Sequence, residues 1–282
     1  MTPRRFAVIG DPVSHSRSPA MHSAAYRALG LPHGYEAVRV TADELPGVVG
    51  ALRDGSFDGL NITVPHKERV LSIVDSLDAS AQAVLAANTL VRSADRRVVA
   101  HNTDAPALAA ELSRLSGATT LWGEGRGLVL GSGGAARAAI AAFAALGVGR
   151  VVVRARAFTD ASRRAHFVGA LGLPMDLQPL EASRRDEEGT VAVVQATSAG
   201  MQGADPGDAV ADAVAWKALP DTAVAIDVVY APRATPFLRA AHARGLRCDD
   251  GLGMLARQGA LAFELWLGLR APLDVMRTTL EQ

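Results

Sequence analysis

A glycine-rich turn between a short apolar run and an alanine-rich helical pattern constrains this chain most strongly. Residues 127–143 read GLVLGSGGAARAAIAAF and contain a G-x-G-x-x-A motif. In such motifs the first glycine permits a tight turn, the second lets a ligand approach the backbone, and the small third residue allows close helix–strand packing. The helix N-terminus that follows suits a pyrophosphate. The pattern predicts a dinucleotide site, with a ligand-free tight turn as the alternative. Its residues are Gly131, Ser132, Gly133, Gly134 and Ala135.

Short runs rich in Val and Ile alternate with Ala- and Leu-rich helical patterns along the whole chain. The runs lie at 6–9, 35–40, 59–63, 97–101, 127–131, 150–155, 191–197 and 224–230. Strands that alternate with helices are typical of an α/β fold with mostly parallel sheets. With aromatic residues at 5%, Ala, Val and Leu must fill the core.

Two breaks divide the chain, and a length of 282 residues suits two domains. The first break is the Gly-, Ser- and Thr-rich segment 116–127, and the second lies near Asp249–Gly251. A long helical pattern follows the second break with no further strand. We therefore predict a Rossmann-type, doubly wound nucleotide-binding domain of residues 121–250. Residues 1–120 and 251–282 form the other domain, to which the C-terminal helix returns.

The strand after the glycine motif bears on the choice between NADP and NAD. NAD sites place a carboxylate about 20 residues after the motif, where it binds the ribose 2′-hydroxyl. Here that strand ends with Arg154 and Arg156, and the next carboxylate is Asp160. Because a guanidinium matches a phosphate through paired donors, NADP is favoured. Two ordinary surface arginines are the alternative, so NAD stays possible.

Composition restricts the partners. The chain has 29 basic and 29 acidic residues with no basic stripe, which argues against nucleic acid and membrane surfaces. A single cysteine, Cys248, fits a reducing cytoplasm, and the N-terminus shows no signal-peptide pattern. His15, His22, His66 and His101 match no zinc spacing, so no metal is expected. We expect a small-molecule substrate and a monomer or homodimer.

Lys67 stands out because the chain has only one other lysine, Lys217, and otherwise uses arginine. It lies in NITVPHKERVL, where a helix is predicted from about His66. Arginine stays protonated in proteins, whereas a lysine can give up and regain a proton. An ordinary surface lysine is the alternative. Asp104, in HNTDAP, could form a coupled pair with Lys67 that exchanges the proton of a substrate alcohol while hydride moves to a nicotinamide.

The segment GDPVSHSRSPAMHSAAYRALG contains two hydroxyls near a predicted helix N-terminus. Pro19 should open that helix and Gly30 should close it. Ser16 and Ser18 could bind a small carboxylate there. Alternatively, Ser18 simply caps the helix.

Taken in order, these motifs resemble the shikimate dehydrogenase family over nearly the whole chain. The matching blocks are SHSRSP, NITVPHK, AANT, NTD, GSGGAA, ATSAGM, DVVYAP with a following TP, and GLGMLARQGA. The resemblance implies a substrate domain, a nucleotide domain and a cleft between them. It also implies reversible NADP-linked reduction of 3-dehydroshikimate to shikimate.

Residue roles follow from the same resemblance. Lys67 and Asp104 would be the catalytic pair. Arg156 would meet the 2′-phosphate, and Gly131 to Ala135 the pyrophosphate. The remaining substrate ligands would be Ser16, Ser18, Thr63, Asn88, Tyr230 and Gln258. The remaining cofactor contacts would be Thr197, Val228 and Gly251.

The chain also departs from the family pattern at two places. Ala155 and Ala157 flank Arg156 where the family often has Asn and Thr, and Ala-Pro follows Asp104 where glycine is common. These departures leave room for a paralogue that acts on quinate or an amino analogue, possibly with NAD. A ligand sensor without turnover is a further alternative, although binding alone does not need the Lys67–Asp104 pair.

Overall fold

The computed structural model describes residues 2–117, 122–168, 174–181 and 187–282. The chain folds into two compact units. The first unit comprises Met1–Asp104 and Leu252–Gln282, and the second comprises Ala105–Gly251. The sequence places the first boundary after residue 120, but the helix before that break belongs almost entirely to the second unit. Part of the break, residues 118–121, lies outside the described residues.

The first unit is built on a six-stranded mixed sheet with the order β2-β1-β3-β5-β6-β4. Its strands are β1 (Arg5–Gly10), β2 (Gly34–Arg39), β3 (Gly59–Ile62), β4 (Ser76–Leu77), β5 (Thr89–Arg92) and β6 (Val98–His101). Its helices are α1 (Ser18–Ala28), α2 (Leu45–Asp54), α3 (Ala79–Val84), α9 (Leu252–Leu267) and α10 (Leu273–Glu281). The β3–β5 and β5–β6 pairs are antiparallel, so this sheet is less parallel than the sequence predicts.

The second unit contains a six-stranded sheet with the order β12-β11-β10-β7-β8-β9, all of whose pairs are parallel. Its strands are β7 (Arg126–Leu130), β8 (Arg150–Ala155), β9 (Met175–Pro179), β10 (Thr190–Gln195), β11 (Val224–Asp227) and β12 (Arg247–Asp249). Its helices are α4 (Asp104–Ser116, whose first residue belongs to the first unit), α5 (Gly134–Ala145), α6 (Ala161–Val168), α7 (Asp208–Asp212) and α8 (Pro236–Ala243).

This strand order is the doubly wound Rossmann arrangement, as predicted, and it fixes where a ligand binds. The order reverses between β7 and β10, and in open α/β sheets ligands bind beyond the carboxyl ends of the strands at such a switch point. The glycine motif follows β7, so the fold places it at that point. No helix in the described part of the chain is long and apolar enough to span a membrane.

The C-terminal segment returns to the first unit, as predicted, because α9 packs against α1 and β5. The Trp266 indole N–H donates to the Leu90 carbonyl at 3.0 Å. A Cβ on Gly59 would lie 2.3 Å from the Trp266 Nε1, so β3 needs glycine where this indole crosses it. This contact anchors the helix that carries Gln258.

Candidate active site

Lys67 and Asp104 form a partly buried ion pair in the first unit. Lys67 Nζ lies 2.6 Å from Asp104 Oδ2, and the two side chains are 17% and 5% exposed. Asp104 is the first residue of α4, where a carboxylate is favoured by the free N–H groups of a helix N-terminus. Among the described residues, Asp104 is the only side chain that Nζ bonds, which leaves ammonium N–H groups for a substrate.

Asn88 holds the second oxygen of this carboxylate. Its amide nitrogen lies 2.9 Å from Asp104 Oδ1 and 2.8 Å from Thr103 Oγ1, with Gln258 Oε1 at 3.3 Å. Its amide oxygen accepts from the Thr103 N–H at 2.7 Å. The resemblance presents Asn88 as a substrate ligand, and the structure gives it a further task, which is to orient Asp104 so that Oδ2 faces Lys67.

Tyr35 and Asn61 support Asn88 from within the sheet, and neither was predicted from the sequence. Asn61 donates to the Asn88 carbonyl at 3.0 Å, and the Tyr35 hydroxyl donates to Asn61 Oδ1 at 2.7 Å. Burial raises the pKa of Tyr35 well above 10.0, and a hydrogen bond with Ser18 opposes that rise. Asn61 lies in the quoted NITVPHK block, and a buried Asn in a β-strand could have signalled such a network.

The segment that carries Lys67 is not the helix that the sequence predicts. Only a short 3₁₀ turn, Arg69–Ser72, forms there. The His66 ring instead binds the Val40 carbonyl through Nε2 at 2.6 Å, and the Lys67 carbonyl accepts from the Ala87 N–H at 2.8 Å. Residues 64–65 and 67–68 form turns ahead of that 3₁₀ segment.

The other predicted substrate residues divide between the two units. Ser16 Oγ accepts from the Ser18 N–H at 3.3 Å just before α1, and Thr63 lies beside Gly10. Gln258 projects from α9 and meets Asn88, whereas Tyr230 belongs to the second unit, after β11. All except Tyr230 therefore share a unit with Lys67.

Ser18 does not cap α1. The N-cap residue is Arg17, no side chain caps the helix, and Pro19 lies in its first turn as predicted. Gly30 follows the helix with a φ of 64°, a left-handed conformation that suits glycine.

The glycine loop in the second unit has the geometry that a pyrophosphate requires. Gly131 has a φ of 124°, and a Cβ there would lie 2.9 Å from the Ala196 carbonyl oxygen, so only glycine fits. A Cβ on Gly133 would meet nothing within 4 Å, which leaves open space in front of the backbone. Helix α5 begins at Gly134, after Gly133 as the N-cap. Its first N–H groups, including that of Ala135, have no acceptor within the helix.

The remaining predicted cofactor residues border the same sheet edge. Thr197 follows β10 next to Gly131, and the Val228 N–H donates to the Gln195 carbonyl at 3.0 Å. A Cβ on Gly251 would lie 2.3 Å from the Val228 carbonyl oxygen, so glycine is required where these segments meet. The second unit thus brings Gly131, Thr197, Val228 and Gly251 to its switch-point region, and these residues fit a dinucleotide.

The two arginines of β8 have different environments. Arg154 is 1% exposed and pairs with Glu187, whose Oε1 lies 2.6 Å from Nη1. Its Nη1 also donates to the Ala213 carbonyl at 2.9 Å. Arg156 lies just beyond the strand with 64% of its side chain exposed. Arg154 is therefore not available as a phosphate ligand, because its guanidinium is paired with Glu187 inside the core. The Arg156 guanidinium remains accessible.

A buried carboxyl group, Asp227, connects the loops that follow β10 and β11. It accepts hydrogen bonds from Thr235 Oγ1 at 2.6 Å, the Val229 N–H at 2.9 Å and Gln195 Nε2 at 3.1 Å. Burial raises the pKa of Asp227 from 3.8 to about 7, and the negative charge of Asp250 adds to that rise. Asp227 thus binds a proton in the folded protein that it loses in the unfolded chain.

We expect the stability of Asp227→Asn, relative to that of the parent, to rise between about pH 4 and pH 7. Because the pKa of Asp227 is raised on folding, its contribution is complete below 3.8 and is lost as pH rises through about 7. Urea unfolding across this range measures the slope. An equal slope in the variant and the parent would contradict the assignment, and Asp221→Asn, at an exposed aspartate, is the control.

Two family models match the chain. Residues 8–90 match the shikimate dehydrogenase substrate binding domain, and residues 251–281 match the shikimate 5′-dehydrogenase C-terminal domain. Shikimate dehydrogenase (NADP(+)) of Methylobacterium radiotolerans is 41% identical over 272 residues, which cover 95% of this chain and 93% of that protein.

Solved structures also match nearly the whole chain. Shikimate 5-dehydrogenase of Thermus thermophilus, in complex with NADP(H) and shikimate, has a TM-score of 0.82 and 38% identity. The match covers 99% of this chain and 98% of that one. The ligand-free 5-ketofructose reductase of a Gluconobacter species has a TM-score of 0.80 and 29% identity, covering 100% and 99%.

Proposed function

Because the chain belongs to the shikimate dehydrogenase family, we propose that it catalyses the reversible NADP-linked reduction of 3-dehydroshikimate to shikimate. The observation that carries this proposal is the Lys67–Asp104 pair, partly buried and held in place by Asn88. In this proposal the first unit binds the substrate and the second binds the cofactor.

Reduction of a ketone to an alcohol needs one hydride and one proton. Bound NADPH supplies the hydride. Lys67 donates the proton to the carbonyl oxygen as that oxygen gains negative charge, which prevents a free alkoxide from accumulating. Asp104 orients the ammonium group before the transfer, while Asn88 fixes the carboxylate, and Lys67 regains a proton from solvent afterwards. In the oxidative direction Lys67, as a free amine, takes up the proton of the alcohol, and the Asp104 carboxylate stabilises the ammonium group that forms.

Substrate binding follows from the other groups of the first unit. Ser16 lies just before α1 and Ser18 is its first residue, at a helix N-terminus that favours a carboxylate. Thr63 and Gln258 offer donors and acceptors for ring hydroxyls near Lys67.

Cofactor binding follows from groups of the second unit. Arg156, accessible just beyond the end of β8, is the proposed ligand of the 2′-phosphate, and the loop from Gly131 to Ala135 would hold the pyrophosphate.

The 5-ketofructose reductase indicates that this fold also serves another polyhydroxylated ketone. The site of this chain therefore has to be tested against several alcohols. Quinate differs from shikimate at the ring and is the nearest alternative that keeps the carboxylate.

Turnover of purified protein is the direct test. We expect shikimate with NADP⁺ to produce reduced cofactor, followed by its absorbance, and NAD⁺ or quinate to give lower kcat/KM. Faster turnover with quinate, or with NAD⁺, would overturn the substrate or the cofactor assignment. Binding of shikimate and NADP⁺ without any turnover would replace the dehydrogenase with a ligand sensor.

A further inference from the structure

Arg156, the proposed ligand of the 2′-phosphate, already has an anionic neighbour. Its Nη1 lies 3.3 Å from Asp205 Oδ2 in the second unit. The Asp205 side chain is 37% exposed, so solvent and a ligand both reach this pair. Nothing in the sequence pointed to Asp205, because 49 residues separate it from Arg156.

The Asp205 carboxylate is fixed by its own loop. Its other oxygen, Oδ1, accepts from the Gly207 N–H at 3.0 Å, and its backbone carbonyl accepts from the Gly200 N–H at 2.7 Å. Both glycines have positive φ, 90° at Gly200 and 97° at Gly207, so this turn holds a conformation that other residues rarely adopt. The Gly207 N–H thus holds the carboxylate beside Arg156.

A carboxylate in this position has opposite consequences for the two dinucleotides. A 2′-phosphate carries negative charge, so Asp205 repels it and competes with it for the guanidinium. A ribose 2′-hydroxyl is neutral and can donate to a carboxylate, which is the interaction that NAD sites use. Arg156 thus favours NADP while Asp205 opposes that preference.

We propose that Asp205 is a specificity-determining residue that lowers the preference of this protein for NADP over NAD, because its carboxylate pairs with the Arg156 guanidinium. This inference rests on the proposed role of Arg156 at the 2′-phosphate. Asn at position 205 keeps an acceptor for the Gly207 N–H but removes the charge, so it isolates the electrostatic effect. Asp208, exposed at the start of α7, provides a matched control of the same charge in the same loop region.

Calorimetric titration with adenosine 2′,5′-bisphosphate, adenosine 5′-phosphate, NADP⁺ and NAD⁺ tests the proposal without any turnover. We expect Asp205→Asn to tighten the binding of the two ligands that carry a 2′-phosphate by roughly 3- to 10-fold and to change the affinity for the other two by less than about 2-fold. Asp208→Asn should leave all four affinities unchanged.

Two further variants separate failure of this proposal from failure of its premise. Arg156→Gln should weaken binding of the 2′-phosphorylated ligands. In the Arg156→Gln background, Asp205→Asn should then change their affinity less. If Arg156→Gln leaves adenosine 2′,5′-bisphosphate binding intact, the premise fails. If Arg156→Gln weakens binding but Asp205→Asn does not raise the ratio of NADP⁺ to NAD⁺ affinity, Asp205 is not a specificity determinant.

Discussion

Lys67→Met is expected to lower kcat for shikimate oxidation by roughly 10²- to 10⁴-fold, the usual contribution of a positioned acid or base. Methionine keeps an unbranched side chain of similar length but carries no proton to transfer. Because Ser16, Ser18 and Gln258 stay in place, KM for shikimate should change far less than kcat. Initial rates at saturating NADP⁺, with shikimate varied, separate the two parameters.

The chain offers its own control for this variant, since Lys217 is the only other lysine and its side chain is exposed. Lys217→Met should retain the parental kcat. Asp104→Asn should also lower kcat, because the amide cannot hold the lysine as a charged pair. A Lys67→Met protein that turned over at the parental rate, with its fold intact by circular dichroism, would remove Lys67 from the chemistry.

Much of the fold is visible in the sequence because its signals are local. The apolar run, the glycine turn and the helix at 127–143 predict β7, the loop and α5, and the fingerprint places them at the start of a Rossmann sheet. Pro19 and Gly30 likewise mark α1. The strand β9, Met175–Pro179, was missed because its residues are neither consistently apolar nor alternating.

The candidate site is only partly visible in the sequence, because its contacts join residues that are far apart in the chain. A rare lysine and an aspartate can be chosen by chemistry, but their 2.6 Å approach depends on how β3, β5 and β6 pair. Tyr35 was missed because its hydroxyl reaches from β2 past β1 to Asn61 on β3, a contact that no spacing encodes. The helix predicted at His66 does not form, because the Lys67 carbonyl accepts from the distant Ala87 N–H and not from the next turn of a helix.

Arg154 and Arg156 show where residue type alone misleads. They are two residues apart at one strand end, and either could match a phosphate by chemistry. Residues two apart in a strand would face the same side of the sheet, but Arg156 lies beyond the end of β8, in a 3₁₀ turn. Burial therefore decides between them, because a guanidinium that is 1% exposed must be paired inside the protein.

Arg154→Met is expected to lower the free energy of unfolding by about 3–5 kcal/mol, the usual cost of removing one partner from a buried ion pair. The loss leaves Glu187 charged and buried, with the Ala215 N–H at 3.0 Å as a remaining donor. Gln178 Oε1, which accepts from Arg154 Nε at 3.0 Å, also loses its donor. Urea unfolding at neutral pH, followed by fluorescence and circular dichroism, measures the change.

Arg156→Met is the matched control, because it removes the same charge two residues away from an exposed pair that contributes at most about 1 kcal/mol. The double variant Arg154→Met with Glu187→Gln tests the cause of the loss. Glutamine still accepts from the Ala215 N–H but carries no charge, so the double variant should recover part of the stability that Arg154→Met loses. If Arg154→Met were as stable as the parent while Arg156→Met was destabilised, the roles of the two arginines would be reversed. Arg154 would then return as a candidate for the 2′-phosphate.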